Sequence, residues 1–225
     1  MDLILIPGMW LTGSAWDDTA DALRRLGHRP TSLTLPGLAD GRADATLDDQ
    51  LSAALEAVDA ADRPLVVGHS AASSLAWLIA DRRPDAVARI ALVGGFPAAD
   101  GETYFDVFPV QDGVVPFPGW EPFEGPDTAD LDTATRDRLA AETVPVPGGV
   151  ATGVVRLTDE RRYDVPVTLV CPEFSPEDVK GWIADGDLPE LDRARDVSYV
   201  DLDSGHWPMA SCAAALAQAL ADLAR

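Results

Sequence analysis

A serine acts as a nucleophile when the backbone lifts its hydroxyl clear of neighbours and a base takes its proton. Ser70 meets the first condition in the run Leu65-Val66-Val67-Gly68-His69-Ser70-Ala71-Ala72-Ser73-Ser74-Leu75. The short apolar, β-branched start reads as a strand covered on both faces. The small residues Gly68, Ala71 and Ala72 then permit a sharp strand-to-helix turn, with Ser70 strained at its tip. The pattern is G-x-S-x-G with Ala72 in the last place. The serine also sits at a helix N-terminus, where free N–H groups stabilise developing negative charge. An oxyanion needs such donors. Ala71 N–H, just after the serine, is one. Met9 N–H is the other, with Trp10 the next choice. Pro7-Gly8 ends an apolar strand there, and glycine lets backbone approach closely.

The base is expected at His206, in Asp203-Ser204-Gly205-His206-Trp207-Pro208 after the last strand. His69 directly precedes the serine, so its side chain points elsewhere and reads as support by packing or hydrogen bonding. His28 reads as surface. Three histidines and two cysteines, Cys171 and Cys212, show neither metal-ligand spacing nor a disulfide framework. No metal and no cofactor is expected.

These residues need elements to hold them. Predicted strands cover Leu3–Ile6, Thr31–Leu35, the run before Ser70, Val87–Val93, Val165–Val170 and Val197–Leu202. Helices fall between them. One runs from Ala15 to about Leu26, capped by Ser14. A second is capped by Thr46, with Leu47, Leu51, Leu55 and Val58 on one face. A third follows Ser70 to about Arg82, a fourth lies near Pro176–Ala184, and an Ala/Leu-rich helix ends the chain. The expectation is a single α/β domain over residues 1–225, with a mostly parallel six-stranded sheet and helices on both faces. Ligands of such sheets bind beyond the carboxyl ends of the strands, and Met9, Ser70 and His206 all follow strand ends.

Residues of about 100–163 break this rhythm and read as a cap insertion with one helix near Thr128–Glu142. Tyr104, Phe105, Phe108, Phe117, Trp120 and Phe123 fall within 20 residues of it. They either anchor a poorly helical segment or form an apolar pocket over Ser70. Phe117, Trp120 and Phe123 are the expected cap contribution to that pocket, with Trp10 and Trp207 beside the proposed site residues.

Net charge is −21, from 38 acidic against 17 basic residues. That balance disfavours nucleic acid and anionic membranes as partners. The acidic N-terminal stretch is too short for a signal peptide, and no run approaches the roughly 20 apolar residues of a membrane span. A cytoplasmic location is the expectation. The oligomeric state is left open.

The pieces Pro7-Gly8-Met9-Trp10, Gly68-His69-Ser70-Ala71-Ala72 and Gly205-His206-Trp207-Pro208 resemble a small α/β-hydrolase of the esterase and hydroxynitrile lyase branch. The resemblance implies Ser70 as nucleophile, His206 as base, and an oxyanion hole at Met9 and Ala71. Relatives commonly carry the triad acid as an Asp three residues past a Gly that ends the penultimate strand. Here the run is Cys171-Pro172-Glu173-Phe174-Ser175, with Pro172 for that Gly and Ser175 for that Asp. Glu173 is the carboxylate on this loop. Asp100 or Glu102, near the preceding strand end, are the alternatives, and a histidine without an acid is the third. The implied activity is hydrolysis of a small carboxylic ester, and the expected partner is a small-molecule ester substrate. A lyase fits less well, because that branch typically has Thr at the Gly8 position and Lys at the Trp207 position. A non-hydrolytic receptor or biosynthetic role is the remaining reading.

Overall fold

The computed structural model describes residues 1–224. Its main sheet holds six parallel strands: β1 Asp2–Ile6, β2 Arg29–Ser32, β3 Leu65–His69, β4 Arg89–Val93, β7 Val167–Cys171 and β8 Val197–Asp201. Their spatial order is β2-β1-β3-β4-β7-β8. Two short strands, β5 Val114–Val115 and β6 Val146–Pro147, pair antiparallel inside the cap.

Side chains alternate across a strand, and the sheet uses both faces. Ile4, Ile6, Val66, Ile90 and Leu92 face one core, with the helices Leu47–Asp59 and Ala72–Arg82 packed on it. Leu3, Leu5, Leu65, Val67 and Val93 face the other, under the helices Asp17–Arg25 and Ala213–Leu223. β3 sits near the middle of the sheet with all five residues buried, so the turn that follows it rests on a rigid base.

The expected and observed elements differ in several places: β4 and β7 start at Arg89 and Val167 rather than Val87 and Val165, and β2 ends at Ser32 rather than Leu35. β2 starts at Arg29, two residues before the expected Thr31, because Arg29 pairs with Asp2 and Pro30 with Leu3. A proline is tolerated there because β2 is an edge strand. Ser14 does not cap the first α-helix: its hydroxyl meets Thr12 Oγ1 at 2.8 Å, and a 3₁₀ turn over Gly13–Trp16 precedes the helix Asp17–Arg25. The expected helix at Thr128–Glu142 is two pieces, a 3₁₀ turn Pro126–Thr128 and a helix Thr133–Glu142. Asp132 ends the linker by accepting a hydrogen bond from Thr135 N–H at 2.8 Å. The Thr46 cap is present as a capping box with Asp49.

Candidate active site

Ser70 follows β3 with φ +54°, in the left-handed region that a non-glycine residue rarely occupies. Its N–H donates to Val93 O at 2.9 Å, and its carbonyl accepts from Ser73 N–H at 2.9 Å as the helix Ala72–Arg82 begins. Both ends of the strained residue are thereby held by β4 and by the helix, which is what lets the strain persist.

The loop after β1 lies against this turn. A Cβ on Gly8 would come within 2.7 Å of His69 Nδ1 and 3.0 Å of Ser70 Cβ, so only glycine fits. The loop then folds as a turn closed by Leu11 N–H to Gly8 O at 3.3 Å, with Trp10 at φ +64°. Among the described residues, neither Met9 N–H nor Ala71 N–H donates to a backbone carbonyl in the turns around Ser70. Ala71 adjoins Ser70 in the chain, and Met9 follows the Gly8 that packs against Ser70 Cβ.

His206 and Ser70 line one cavity of about 220 Å³. His206 Nδ1 is 2.6 Å from Glu173 Oε1, and the two side chains are only 14% and 13% exposed. The carboxylate fixes the ring with Nδ1–H toward itself and the Nε2 lone pair free. The other candidate acids are engaged elsewhere: Asp100 accepts from Leu157 N–H at 2.8 Å, and Glu102 from Ala99 N–H at 2.7 Å. Gly94, at φ +60°, makes room for the pair. A Cβ there would lie 3.3 Å from Glu173 Oε2, from His206 Nδ1 and from Pro172 Cγ.

His69, almost fully buried, lines the cavity beside Ser70. Its Nε2–H donates to His206 O at 2.7 Å, and its ring is 5.0 Å from that of His206. Burial, and then the neighbouring His206, push its pKa down to about 3, so the ring is neutral and anchors the His206 loop by hydrogen bonding.

The cap supplies part of the cavity wall. Trp10 is tied to it by Nε1–H to Val115 O at 3.1 Å and by Val144 N–H to Trp10 O at 2.9 Å. Of the five residues named for a pocket from the sequence, Trp10, Phe123 and Trp207 line the cavity. Phe117 and Trp120 do not. They pack behind it, Phe117 stacked on Phe123 and Trp120 edge-on to Trp207. Trp10 takes the central place instead, within 6.0 Å of the rings of Phe105, Phe108, Phe117 and Phe123. Met9, His69, Glu173, Phe105, Val107, Phe108 and Asp127 complete the wall; Phe105 and Phe108 belong to the aromatic run of the cap, whereas no local sequence pattern marks Val107 or Asp127. Burial, with Glu173 nearby, raises the Asp127 pKa above the usual carboxylate range, against an opposing pull from His206.

The model for the "Alpha/beta hydrolase family" matches residues 3–219. No curated protein matches the chain significantly. Among solved structures, an extracellular alpha/beta-hydrolase from a Paenibacillus species superposes with a TM-score of 0.82 at 18% identity, covering 99% of this chain and 98% of that one. It is described as sharing structural and functional homology with tobacco salicylic acid binding protein 2. A methylesterase from Arabidopsis gives 0.78 at 14% identity, covering 100% and 98%. A pyrethroid hydrolase from Sphingobium faniae gives 0.72 at 21%, covering 100% and 97%. At these identities the likeness is one of fold.

Proposed function

The chain belongs to the alpha/beta hydrolase family, and from that premise we propose that it is a serine-dependent hydrolase of small carboxylic esters working through an acyl-enzyme. One observation carries the reading: Ser70, held at φ +54°, shares a cavity with a histidine whose Nδ1 is 2.6 Å from a buried carboxylate. Ser70 is the nucleophile, His206 the base, Glu173 the acid that orients it, and Met9 and Ala71 the oxyanion donors.

The steps follow from the atoms. Ser70 Oγ attacks the ester carbonyl while its proton passes to His206 Nε2. Glu173 stabilises the imidazolium and keeps its Nδ1–H directed away from the serine. The carbonyl oxygen gathers negative charge between Met9 N–H and Ala71 N–H. His206 Nε2 then gives its proton to the leaving alkoxide, and the C–O bond breaks to leave acyl-Ser70. Water repeats the sequence to release the acid. The half-open cavity, lined mainly by Trp10, Phe105, Phe108, Phe123 and Trp207, suits an apolar ester. A non-hydrolytic role drew its support from the missing Asp on the acid loop, and the Glu173–His206 contact weakens that support.

A fluorophosphonate probe should label the protein with one equivalent on Ser70, and Ser70→Ala should lower turnover of p-nitrophenyl acetate by about 10³-fold or more without loss of fold. Labelling at another residue, or full turnover in the alanine variant, refutes the mechanism.

A further inference from the structure

Acyl transfer makes no use of one charged group in the cavity. Asp127 reaches the wall from the cap, whereas Glu173 is engaged with His206. No lysine or arginine lines the cavity among the described residues, and most of the remaining wall is apolar or aromatic. The position of Asp127 is set by backbone. Its carbonyl accepts His206 N–H at 2.8 Å, and a Cβ on Gly205 would come within 2.4 Å of the same carbonyl. The cap is keyed directly onto the loop that carries the base. Gly205 N–H adds a second lock on Asp130 Oδ2 at 2.8 Å.

The Asp127 carboxylate itself accepts no hydrogen bond from the described residues, and the charged groups that act on it are His206 and Glu173. A partly buried anion in a mainly apolar wall has lost part of its hydration with no replacement from the described residues. A cationic ligand group would supply that replacement, and the aromatic faces around it attract cations as well. The direction of the reaction says which half of the ester brings the charge. The leaving alkoxide must collect its proton from His206 Nε2, so the alcohol half occupies the side of the cavity where His206, Trp207 and Asp127 stand. We propose that the substrate is an ester whose alcohol half carries an amine or quaternary ammonium group, paired with Asp127. An alcohol half bearing a carboxylate is excluded by the same charge. This rests on the esterase reading above.

The test compares two esters of equal shape, acetylcholine and uncharged 3,3-dimethylbutyl acetate, at pH 8. The readout is the ratio of their kcat/KM within each protein, so any loss common to both esters cancels. Wild type should favour the cation by roughly tenfold, Asp127→Asn should bring the ratio close to one, and Asp127→Glu should keep a preference. The charge of −21 attracts cations to the whole surface, but the Asn variant changes it by a single unit, so the difference between variants reports the local pair. Affinity for phenyltrimethylammonium, measured by calorimetry in wild type and Asp127→Asn, tests the cation site without turnover. Ester turnover with equal ratios and equal affinities in the two proteins overturns the cation site and leaves the esterase reading standing. Cation binding that depends on Asp127, without hydrolysis of either ester, overturns the esterase reading and keeps the site. Neither turnover nor binding overturns both.

Discussion

Replacing Glu173 by glutamine tests the proposed machinery at its most unusual member. Glu173 Oε1 is 2.6 Å from His206 Nδ1, and Oε2 is buried with no hydrogen-bond partner among the described residues. A glutamine that kept its oxygen on Nδ1 would strand an NH₂ group where Oε2 now lies, at a cost of about 1–3 kcal/mol. Turning the amide over removes that cost but presents NH₂ to Nδ1, which forces the ring proton onto Nε2. That is the atom that must receive the Ser70 proton. At about 2 kcal/mol the wrong tautomer dominates by roughly 30-fold. The imidazolium also loses a carboxylate counter-charge, which near a protein surface is worth up to about 4 kcal/mol at close range. Together these predict a fall in kcat of about 10³- to 10⁴-fold, or about 4–5.5 kcal/mol in the barrier. The assay is single-turnover and steady-state hydrolysis of p-nitrophenyl acetate, with thermal unfolding as the check on fold. A folded variant with kcat within about fivefold of wild type would refute the assignment of Glu173.

Two further changes test the supports of the site. Gly94→Ala places a Cβ 3.3 Å from Glu173 Oε2, His206 Nδ1 and Pro172 Cγ, at φ +60°; it should lower kcat about tenfold along with a strain cost of about 1 kcal/mol, and a lowered Tm with kcat unchanged would limit Gly94 to backbone conformation. His69 stays neutral in the fold down to about pH 3, whereas an unfolded histidine takes a proton below its ordinary 6.5. Its contribution is therefore whole above pH 6.5 and is lost as pH falls from 6.5 toward 3, about 2 kcal/mol by pH 5. Urea unfolding at pH 7 and pH 5 should show that much less acid loss in His69→Gln, which keeps a donor for His206 O, and equal losses in the two proteins would refute it.

The parts of this molecule legible in its sequence are those fixed by neighbours in the chain. Ser70 needs only an apolar strand before it and small residues around it, and both are adjacent. The two core faces follow from uninterrupted apolar strands such as Leu3–Ile6. β2 is harder to bound because Pro30 argues against a strand until its place at the edge, beside β1, is known. β5 and β6 carry no periodic signal at all. Each is two residues long, and each finds its partner some 30 residues away. The aromatic run of the cap shows the same limit. Composition marks Phe117, Trp120 and Phe123 alike, and only the bond from Trp10 Nε1 to Val115 O, with the ring packing that follows, decides which of them face the cavity. Asp127 is invisible for the same reason, since its place depends on a main-chain contact with His206, 79 positions along the chain.

The acid loop joins both kinds of information. Its sequence departs from the resembling family at two positions, Pro172 for Gly and Ser175 for Asp. Ser175 serves the backbone instead, capping the helix Pro176–Asp185 in a capping box with Asp178. A capping serine is not also the partner of the His206 ring, and the carboxylate that meets that ring is another residue of the loop. Glu173 is two residues nearer the strand and one methylene longer, and it reaches Nδ1 at 2.6 Å. Pro172 also takes up space that a glycine would leave free, and Gly94 on the neighbouring strand end supplies the room, 3.3 Å from Pro172 Cγ and from both members of the pair. The glycine lost on one strand end is matched by a glycine required on the next. Pro172, Glu173, Ser175 and Gly94 are therefore one arrangement, and its logic appears only when β4 and β7 lie side by side.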